Sequence, residues 1–497
     1  MKTPVIIALD QGTTSSRTIV FNKKGNAVAS NQIPFEQFFP ENGWVEHDAE
    51  EIWQSQYNTL LNALSQLDES YEAKAIGVTN QRETVVIWER ATGKPIHNAI
   101  VWQDRRTASY CDELKSSGHT KMIQEKTGLV IDAYFSATKI KWILDNVEGA
   151  RERALKGELC FGTIDSWIIY KLTQGRVHVT DVTNASRTMI CNIHDVSWDE
   201  ELLKLFDIPT EILPKICSSS EHYGDAIIPE KNLVIPIAGI AGDQQAALFG
   251  QLCVEQGMLK NTYGTGCFLL MNTGNKPVLS KNNLLTTIAW KIGDEIMYAL
   301  EGSVFVGGAA VQWLRDGLSF FDKASEVEKL AEKVPNSDGV VVVPAFTGLG
   351  APHWDPYARG AILGLSRGTT KAHIARATLE GIALQVYDIV KAMEEDSDVT
   401  STQLRVDGGA TANNLLMQIQ ADIFDFNVVR PSNLESTALG AAYLAGLAVG
   451  VWNSIDELSD QWQIDSTFEP SSESESRNLL LKNWQKATNR SKNWIDR

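Results

Sequence analysis

The sequence lacks most features that mark secreted, redox-active or low-complexity proteins. Its six cysteines are spread over 497 residues without a Cys-x-x-Cys pair, so neither a zinc site nor a redox motif is spelled out. We expect these thiols to be buried and reduced. With 36 glycines and 15 prolines, the chain has too few of either for a low-complexity protein. It should fold, and its length allows two or three domains with sizeable cores.

Positive charge and long apolar runs are scarce as well. Lys and Arg number 45 against 62 Asp and Glu, which gives a formal charge of −17. Such a surface repels a phosphate backbone and argues against a general nucleic-acid binder, although a small anion can still be held at a prepared site. The apolar run before Asp10 is too short for a signal peptide, and the stretch 437–452 is shorter than the ~20 residues of a membrane span. We expect a cytoplasmic protein without membrane insertion.

Short β-branched runs alternate with helical patterns, as in an α/β protein. The chain opens as an antiparallel meander of strands at 5–9, 16–21 and 27–29, and a helix with the capping pair Asp48 and Glu51 follows. A second half begins near residue 250, and a strand with a glycine-rich, Asp-containing turn in each half indicates a large duplication. The other expected elements are strands at 75–78, 235–240, 340–343 and 404–406, helices at 244–249 and 371–393, a buried helix at 437–452, and an exposed loop at 471–477 before a last helix with Leu480, Trp484, Ala487 and Trp494.

The segment 10–15, Asp-Gln-Gly-Thr-Thr-Ser, lies between two strands, unlike nucleotide motifs that lead into a helix. No G-x-x-x-x-G-K-[ST] pattern occurs, which excludes a P-loop enzyme. In a tight hairpin the glycine permits close approach of the backbone, so that N–H groups and hydroxyls can surround an anion. Arg17 shares the side of Ser15 in an extended strand and would add positive charge. The hairpin predicts a phosphate site, with an ordinary polar hairpin as the alternative.

Two further glycine turns follow strands. In the segment 241–245, Asp243 stands at a strand-to-helix junction, where open α/β sheets carry functional groups. Asp243 could equally be the N-cap of that helix. The turn 406–413 also opens a helix and fits either a nucleotide contact or a tight βα corner. Three such turns in this order are more specific than any one alone.

The three turns resemble the phosphate and adenosine motifs of the actin-like ATPase fold that sugar kinases, Hsp70 and actin share. Segments 134–142 and 360–380 resemble the two signatures of the FGGY carbohydrate kinases. Within that family, the members that phosphorylate glycerol are the most similar, at segments 80–84, 101–106, 242–250 and 263–268. The resemblance extends from Asp10 to about Gly446, nearly the whole chain.

The resemblance implies an α/β fold of two actin-like ATPase (ribonuclease H-like) domains with the active site in the cleft between them. The domain 1–250 would carry the phosphate hairpin and a glycerol site, and the domain 251–497 the adenosine site. The implied activity is ATP-dependent phosphorylation of glycerol to sn-glycerol 3-phosphate, with Asp10 helping to hold Mg²⁺ through water. The implied ATP contacts are Thr13, Thr14, Ser15, Arg17, Thr265, Gly308, Gln312, Gly409 and Asn413.

We predict Asp243 as the catalytic base, because its carboxylate can accept the hydroxyl proton while the helix N-terminus keeps it ionised. Glycerol needs hydrogen-bond donors, acceptors and an apolar wall. The family resemblance supplies Arg82, Glu83, Tyr134, Asp243 and Gln244 for the hydroxyls, and Trp102 and Phe268 for the wall. Without the resemblance, Arg82 with Glu83 would be expected as an exposed ion pair, and Trp102 and Phe268 as core aromatics.

Three alternative functions stay open at this point. Another FGGY kinase, for a pentulose, a tetritol or a shorter polyol, would differ at 80–84 and 242–250. An actin-like or Hsp70-like ATPase would need a polymer interface or a peptide-binding domain, and it would turn over ATP without glycerol. The third alternative, a catalytically silent sensor of glycerol or nucleotide, is less favoured, because every position expected to carry an acid, a base or a phosphate-binding residue is filled. The segment 224–234 lacks both the Arg-containing loop and the His that control some bacterial members, and the family suggests a dimer or tetramer.

Overall fold

The computed structural model describes residues 2–495. In the first half of the chain the strands are β1 (Thr3–Gln11), β2 (Ser15–Asn22), β3 (Ala27–Pro34), β4 (Glu46–His47), β5 (Tyr71–Asn80), β6 (Val86–Glu89), β7 (Ala99–Ile100), β8 (Leu159–Gly162), β9 (Val179–Asp181), β10 (Cys191–Asn192), β11 (Ser197–Trp198), β12 (Lys215–Cys217), β13 (Ser220–Ile228) and β14 (Leu233–Gly242). The helices are α1 (Ala49–Ser65), α2 (Ala108–Ser116), α3 (Thr120–Thr127), α4 (Ser136–Asn146), α5 (Ala150–Leu155), α6 (Ile164–Leu172), α7 (Val182–Ala185), α8 (Glu200–Phe206) and α9 (Asp243–Gly250).

In the second half the strands are β15 (Leu259–Tyr263), β16 (Cys267–Gly274), β17 (Leu285–Ile292), β18 (Glu295–Val304), β19 (Val341–Val343), β20 (Ala361–Leu363), β21 (Gln403–Asp407), β22 (Asn427–Pro431) and β23 (Ile464–Phe468). The helices are α10 (Gly308–Asp316), α11 (Glu326–Ala331), α12 (Lys371–Ser397), α13 (Asn414–Phe424), α14 (Ser436–Ala448), α15 (Ile455–Ser459) and α16 (Ser474–Ser491). Short 3₁₀ turns lie at Thr210–Ile212, Pro229–Lys231 and Gly409–Ala412.

One mixed sheet runs through the molecule in the order β23-β22-β21-β15-β16-β18-β17-β13-β14-β5-β1-β2-β3. In the first half, β1, β2 and β3 are antiparallel neighbours, whereas β5 runs parallel to β1 and β14 parallel to β5. The second half repeats the pattern, since β15 is antiparallel to β16 and parallel to β21, which is followed by β22. The pair Ser220 and Ile292 joins the two half-sheets. The predicted opening meander and the duplicated α/β architecture are confirmed.

The central strands and first helix form where the sequence pattern predicts them. Residues 5–9 of β1 are buried on both faces, as expected for a central parallel strand covered by helices. Helix α1 begins after Asp48, whose side chain accepts the backbone N–H groups of Glu50 and Glu51. Between β5 and β14, the chain builds a lobe with its own core around Ile87, Phe135 and Phe161. This lobe brings several side chains to the central cleft.

Two expectations at the C-terminal end are wrong in detail. Residues 474–477 belong to α16, so that only the start of the predicted exposed loop lies outside a helix. Trp494 follows the end of α16 and is exposed instead of packing from the helix. The serines and acidic residues that suggested a loop are also suited to a solvated first helical turn, which explains the error. The buried helix predicted at 437–452 is α14, although it ends at Ala448, four residues earlier than expected. All six cysteines are buried and unpaired.

The stretch 437–452 also bears on membrane insertion, which the sequence argues against. Over residues 2–495, every helix is too short or too polar to cross a bilayer. Helix α14 instead packs inside the molecule, against the strands β1, β5 and β14.

Helices α9 and α14 cross at glycines and connect the two halves. Although α14 lies late in the chain, it packs on the first half-sheet and on α9. A Cβ at Gly440 would stand 1.8 Å from the carbonyl oxygen of Ala246, and one at Gly250 would stand 2.0 Å from that of Ser436. Only glycine permits so close an approach of two helix backbones.

We predict that Gly440→Ala destabilises the protein. Alanine is the better helix former by about 1 kcal/mol, but the added methyl group must push α9 and α14 apart, and overpacking costs about 1–3 kcal/mol or more. Urea unfolding should show a lower free energy of unfolding. Gly368→Ala, where the nearest atom to the new Cβ is 3.7 Å away, is the control. Equal stabilities of the two variants would contradict the close crossing.

Candidate active site

A cavity of about 730 Å³ lies between the two halves of the molecule. Elements of both halves and of the lobe contribute to its wall. Nine of the residues singled out from the sequence lie in the lining: Thr13, Arg82, Glu83, Trp102, Tyr134, Asp243, Gln244, Thr265 and Phe268. The lining also contains Glu301, which the sequence analysis did not identify.

Arg82, at the end of β5, is held by a buried ion pair. Its Nη1 and Nη2 donate to the two carboxylate oxygens of Glu301 at 2.6 and 2.9 Å, and both residues are at most 3% exposed. Nη1 also donates to Oε1 of Gln245 at 3.1 Å. This bidentate geometry fixes the plane of the guanidinium group. The alternative of an exposed Arg82–Glu83 pair is therefore wrong.

Glu83 completes a four-membered ion cluster with Arg82, Arg187 and Glu301. Arg187 Nε donates to Glu83 at 2.7 Å, and Arg187 Nη2 donates to Glu301 at 3.1 Å. The backbone of Glu83 has a φ of 61°, and the N–H of Thr84 donates to the carbonyl of Arg82 at 2.8 Å. This tight turn is strained for a residue with a side chain, and the buried partners of Glu83 hold it in place. The cluster therefore presents the Arg82–Glu83 pair in a fixed orientation.

Asp243 is the first residue of α9, and its carboxylate lies beside Arg82. The distance from Arg82 Nε to Asp243 Oδ1 is 3.3 Å. Gly242 is the N-cap residue, so the N-cap interpretation of Asp243 is wrong, although its side chain accepts the N–H of Gln244 at 2.7 Å. Burial raises the pKa of Asp243, while the Arg82 and Lys260 cations oppose that shift. A carboxylate with a raised pKa is a stronger proton acceptor than an exposed one.

Six aromatic residues contribute to the lining, and Trp102, Tyr134 and Phe268 are the three that were singled out from the sequence. Trp102 and Tyr134 pack edge to face with centroids 5.5 Å apart, and Phe268 lines the cavity from β16. The Trp102 indole N–H donates to Thr13 Oγ1 at 3.1 Å, which links the wall to the first hairpin. Trp102 and Phe268 are only partly buried, so the alternative that they are core aromatics is wrong.

Buried Lys139, on α4, holds the segment that carries Tyr134. Its ammonium donates to the carbonyl oxygens of Ala133, Tyr134 and Phe135 at 3.0, 2.6 and 2.9 Å. Burial lowers the pKa of Lys139 to about 7, against the opposing effect of nearby carboxylates. Three consecutive carbonyls converging on one cation set the direction of this loop.

The first hairpin is formed, but several of its polar groups are paired within the protein. Gly12 N–H donates to the carbonyl of Ser15 at 3.0 Å, and the Ser15 hydroxyl accepts from Gln32 at 2.7 Å. Arg17 binds Asp10 at 2.7 Å and Glu435 at 2.6 Å. Thr14, Ser15, Arg17 and Asp10 lie outside the cavity lining, next to Thr13, which is inside it.

The other predicted nucleotide residues surround the ends of three strands of the second half-sheet. Gly308 N–H donates to the carbonyl of Gly264 at 2.9 Å, which places it beside Thr265. Asn413 caps α13 by accepting the N–H of Leu416 at 2.8 Å. A Cβ at Gly409 would meet nothing within 4 Å, so open space lies over this turn. Gln312 is exposed on α10, and the structure does not bring Gly308, Gln312, Gly409 or Asn413 into the cavity lining.

Glu301, Arg187 and Lys260 are the polar residues of the site that the sequence analysis missed. Glu301 interrupts a mostly apolar strand, which is a usable signal, because a charged side chain in a buried strand needs partners. Lys260 lies in a largely polar strand, where a lysine is not conspicuous. Arg187 lies in a loop after α7 and carries no such signal. Its role becomes visible only from its contacts.

The repeated half-sheet topology and the cleft between the halves define a two-domain enzyme of the actin-like ATPase fold. Residues 5–250 match the N-terminal domain of the FGGY family of carbohydrate kinases, and residues 259–449 match its C-terminal domain. The chain belongs to the FGGY family of carbohydrate kinases.

Comparison with individual proteins shows which members of the family are similar to this chain. The chain is 60% identical over 493 residues to the glycerol kinase of Parabacteroides distasonis, and 59% identical over 492 residues to that of Deinococcus radiodurans, with at least 98% of each chain covered. The crystal structure of Plasmodium falciparum glycerol kinase with ADP superimposes with a TM-score of 0.95 at 40% identity, over 100% of this chain and 99% of that one. A gluconate kinase from Lactobacillus acidophilus has a TM-score of 0.89 at 24% identity, covers 98% of this chain and 97% of its own, and shows the shared fold.

We predict that Glu301→Gln destabilises the protein by about 3–5 kcal/mol, because it removes one of the two fully buried carboxylates of the ion cluster and leaves only Glu83 to balance Arg82 and Arg187 there. Burial raises the pKa of Glu301, but the Arg187 and Arg82 cations lower it by more than burial raises it, so that the pKa falls to about 2. A lowered carboxylate pKa stabilises the fold fully above the unfolded value near 4.5, and this stabilisation is lost as the pH falls toward about 2. The wild type should therefore lose more stability than the variant over this range.

Chemical unfolding measured from pH 6 downward checks both statements, within the range where the wild type is folded. Glu295→Gln, an exposed glutamate at the start of the same strand, should change neither the stability nor its pH dependence. Parallel pH profiles for the wild type and Glu301→Gln would show that the carboxylate is not ionised by its arginine partners.

Proposed function

We propose that the protein transfers the terminal phosphoryl group of ATP to glycerol. The observation that carries this proposal is the cavity in which the buried Arg82–Glu83 pair, Asp243 and an aromatic wall face one space. The family membership and the full-length similarity to glycerol kinases support it. The product would be sn-glycerol 3-phosphate together with ADP.

The donors and acceptors of the cavity suit a short polyol. Arg82 would donate to glycerol hydroxyls, Glu83 and Asp243 would accept from them, and Gln244 and Tyr134 would add further contacts. Trp102 and Phe268 would cover the C–H face. An analogue without one hydroxyl would leave a buried partner unpaired, which costs about 1–3 kcal/mol. The ion cluster holds Arg82 and Glu83 before substrate arrives, so little reorganisation accompanies binding.

Asp243 would act as the base in an in-line transfer. As the bond between the terminal phosphorus of ATP and its bridging oxygen breaks, the glycerol oxygen bonds to phosphorus and its proton passes to the Asp243 carboxylate. ADP leaves with the bridging oxygen. The raised pKa of Asp243 suits this late proton transfer.

The nucleotide would lie between the first hairpin and the second half-sheet. Thr13, Thr14, Ser15 and Arg17 would contact the phosphates, and Thr265, Gly308, Gln312, Gly409 and Asn413 would contact the nucleotide from the domain 251–497. The N–H groups of Thr13 and Thr14 have no hydrogen-bond partner within residues 2–495, which leaves them available to an anion. Arg17 would exchange a carboxylate partner for phosphate, because Asp10 and Glu435 now neutralise it.

Asp10 fits the requirements of Mg²⁺. One carboxylate oxygen accepts from Arg17, whereas Oδ1 accepts no hydrogen bond from any residue in 2–495. Mg²⁺ prefers one or two carboxylates with retained waters and substrate phosphates, which a single partly buried Asp at the hairpin can satisfy. When bound, the ion would neutralise phosphate charge. Asp10 would orient it through water.

We predict that Asp243→Asn lowers turnover by about 10²–10⁴-fold, because an amide cannot accept the proton. Glycerol binding by calorimetry should stay measurable, since Arg82 and Glu83 keep their buried partners. Asp225→Asn, which replaces a partly exposed aspartate paired with His222 and outside the cavity lining, is the control and should be as active as the wild type. Near-normal turnover of Asp243→Asn would remove Asp243 from the role of base.

The substrate is tested by ADP release with Mg-ATP over a panel of polyols and ketoses. Glycerol should be preferred. The cavity offers a small set of hydrogen-bond donors and acceptors together with a limited apolar surface, and this combination suits a short polyol. Preference for a pentulose would instead identify another FGGY activity. ATP turnover that ignores every acceptor would indicate an autonomous ATPase.

A further inference from the structure

Lys260, on β15, is fully buried beside the cavity but has no place in its lining. Its ammonium donates to Gln244 Oε1 at 2.7 Å and to Thr262 Oγ1 at 2.8 Å. Gln244 belongs to α9 of the first half and Lys260 to the second half. The contact thus crosses from one half to the other directly beneath the cavity floor.

The chemistry of this contact determines the orientation of the Gln244 carboxamide. An ammonium group can only donate, so the oxygen of Gln244 must face Lys260. The Nε2 group is then the end left for the cavity, and it has no hydrogen-bond partner within residues 2–495. A neutral or acceptor residue at position 260 would allow the opposite orientation. Gln244 is therefore set as a hydrogen-bond donor before substrate binds.

Lys260 also contributes charge to the site. The ionised groups facing Asp243 are Arg82, Lys260 and Glu301, from three different strands or strand ends. Lys260 itself faces three acids, Asp243, Asp407 and Glu301, and one cation, Arg82. Burial lowers the pKa of Lys260, and these acids oppose that shift. Without the ammonium, Asp243 would keep Arg82 as its cation beside the nearby Glu301 carboxylate.

We infer that Lys260 is a positioning residue for the phosphoryl transfer, which orients the Gln244 carboxamide as a donor to a substrate hydroxyl and places a second cation near Asp243. The inference rests on the proposed function. Lys260 acts through its neighbours, because its ammonium is already paired with Gln244 and Thr262.

The first test is Lys260→Met, which keeps the length of the side chain and removes the charge. The KM for glycerol should rise about tenfold, because the amide loses its fixed orientation and a hydrogen bond of this kind is worth about 1–2 kcal/mol. The KM for ATP should be unchanged. The acid limb of the kcat/KM profile should move to higher pH, since the pKa of Asp243 rises when a neighbouring cation is lost.

Lys171→Met is the matched control, because Lys171 is a partly buried, ion-paired lysine far from the cavity. It should leave both KM values and the pH profile unchanged. In a Gln244→Ala background, Lys260→Met should add little to the KM for glycerol. Additive effects on KM, or a wild-type pH profile for Lys260→Met, would overturn the inference.

Gln244→Glu tests the orientation without disturbing Lys260. A glutamate can still accept from the ammonium, but its second oxygen cannot donate into the cavity. Glycerol binding measured without nucleotide should weaken about tenfold, as in Gln244→Ala. Wild-type affinity of Gln244→Glu would show that no donor is needed at this position, and would overturn the inference even if Lys260→Met does not fold.

Wild-type ADP release with glycerol is measured first and separates the two claims. If the wild type does not phosphorylate glycerol, the proposed function fails. If it does, and the variants behave as the wild type, only the role of Lys260 fails.

Discussion

The buried ion cluster of Arg82, Glu83, Arg187 and Glu301 is the interaction on which the substrate side of the site depends. Two arginines and two glutamates are removed from water together, and the pairs Arg82–Glu301, Arg187–Glu83 and Arg187–Glu301 have hydrogen-bond distances that compensate for lost hydration. The same contacts hold Glu83 in a backbone conformation that its side chain disfavours. A site built in this way presents its charges in one arrangement before any ligand arrives.

The residues proposed to contact the nucleotide are not held in a comparable preformed arrangement. Arg17 is neutralised by Asp10 and Glu435, and most of the residues proposed to contact ATP lie outside the cavity lining. Under the proposed function, Arg17 would exchange a carboxylate partner for phosphate. A preformed acceptor site would then face a phosphate site that forms only when the nucleotide binds.

Some contacts between the two halves lie at the candidate active site. Lys260 reaches from the second half-sheet to Gln244 of α9. Within the first half, Trp102 reaches from the aromatic wall to Thr13 of the hairpin. Glu301 belongs to the second half-sheet but binds two arginines of the first half of the chain. Part of the contact between the halves and the candidate active site are therefore made of the same residues, so a change in one is felt in the other.

The sequence by itself determined the α/β alternation, the opening meander, the three glycine turns and the residues around Arg82, Trp102 and Asp243, because these depend on local periodicity and on contiguous motifs. Local signals did not distinguish a loop from a first helical turn at 474–477, since serine and acidic residues suit both. Only the tertiary structure decided that Arg82 and Glu83 are buried, that Asp243 follows the N-cap, and that Arg187, Glu301 and Lys260 belong to the site. The reason is physical: the partners Arg82 and Glu301 lie 219 positions apart, so the sequence around either one does not reveal the other, and the burial of the pair exists only once the two half-sheets have come together.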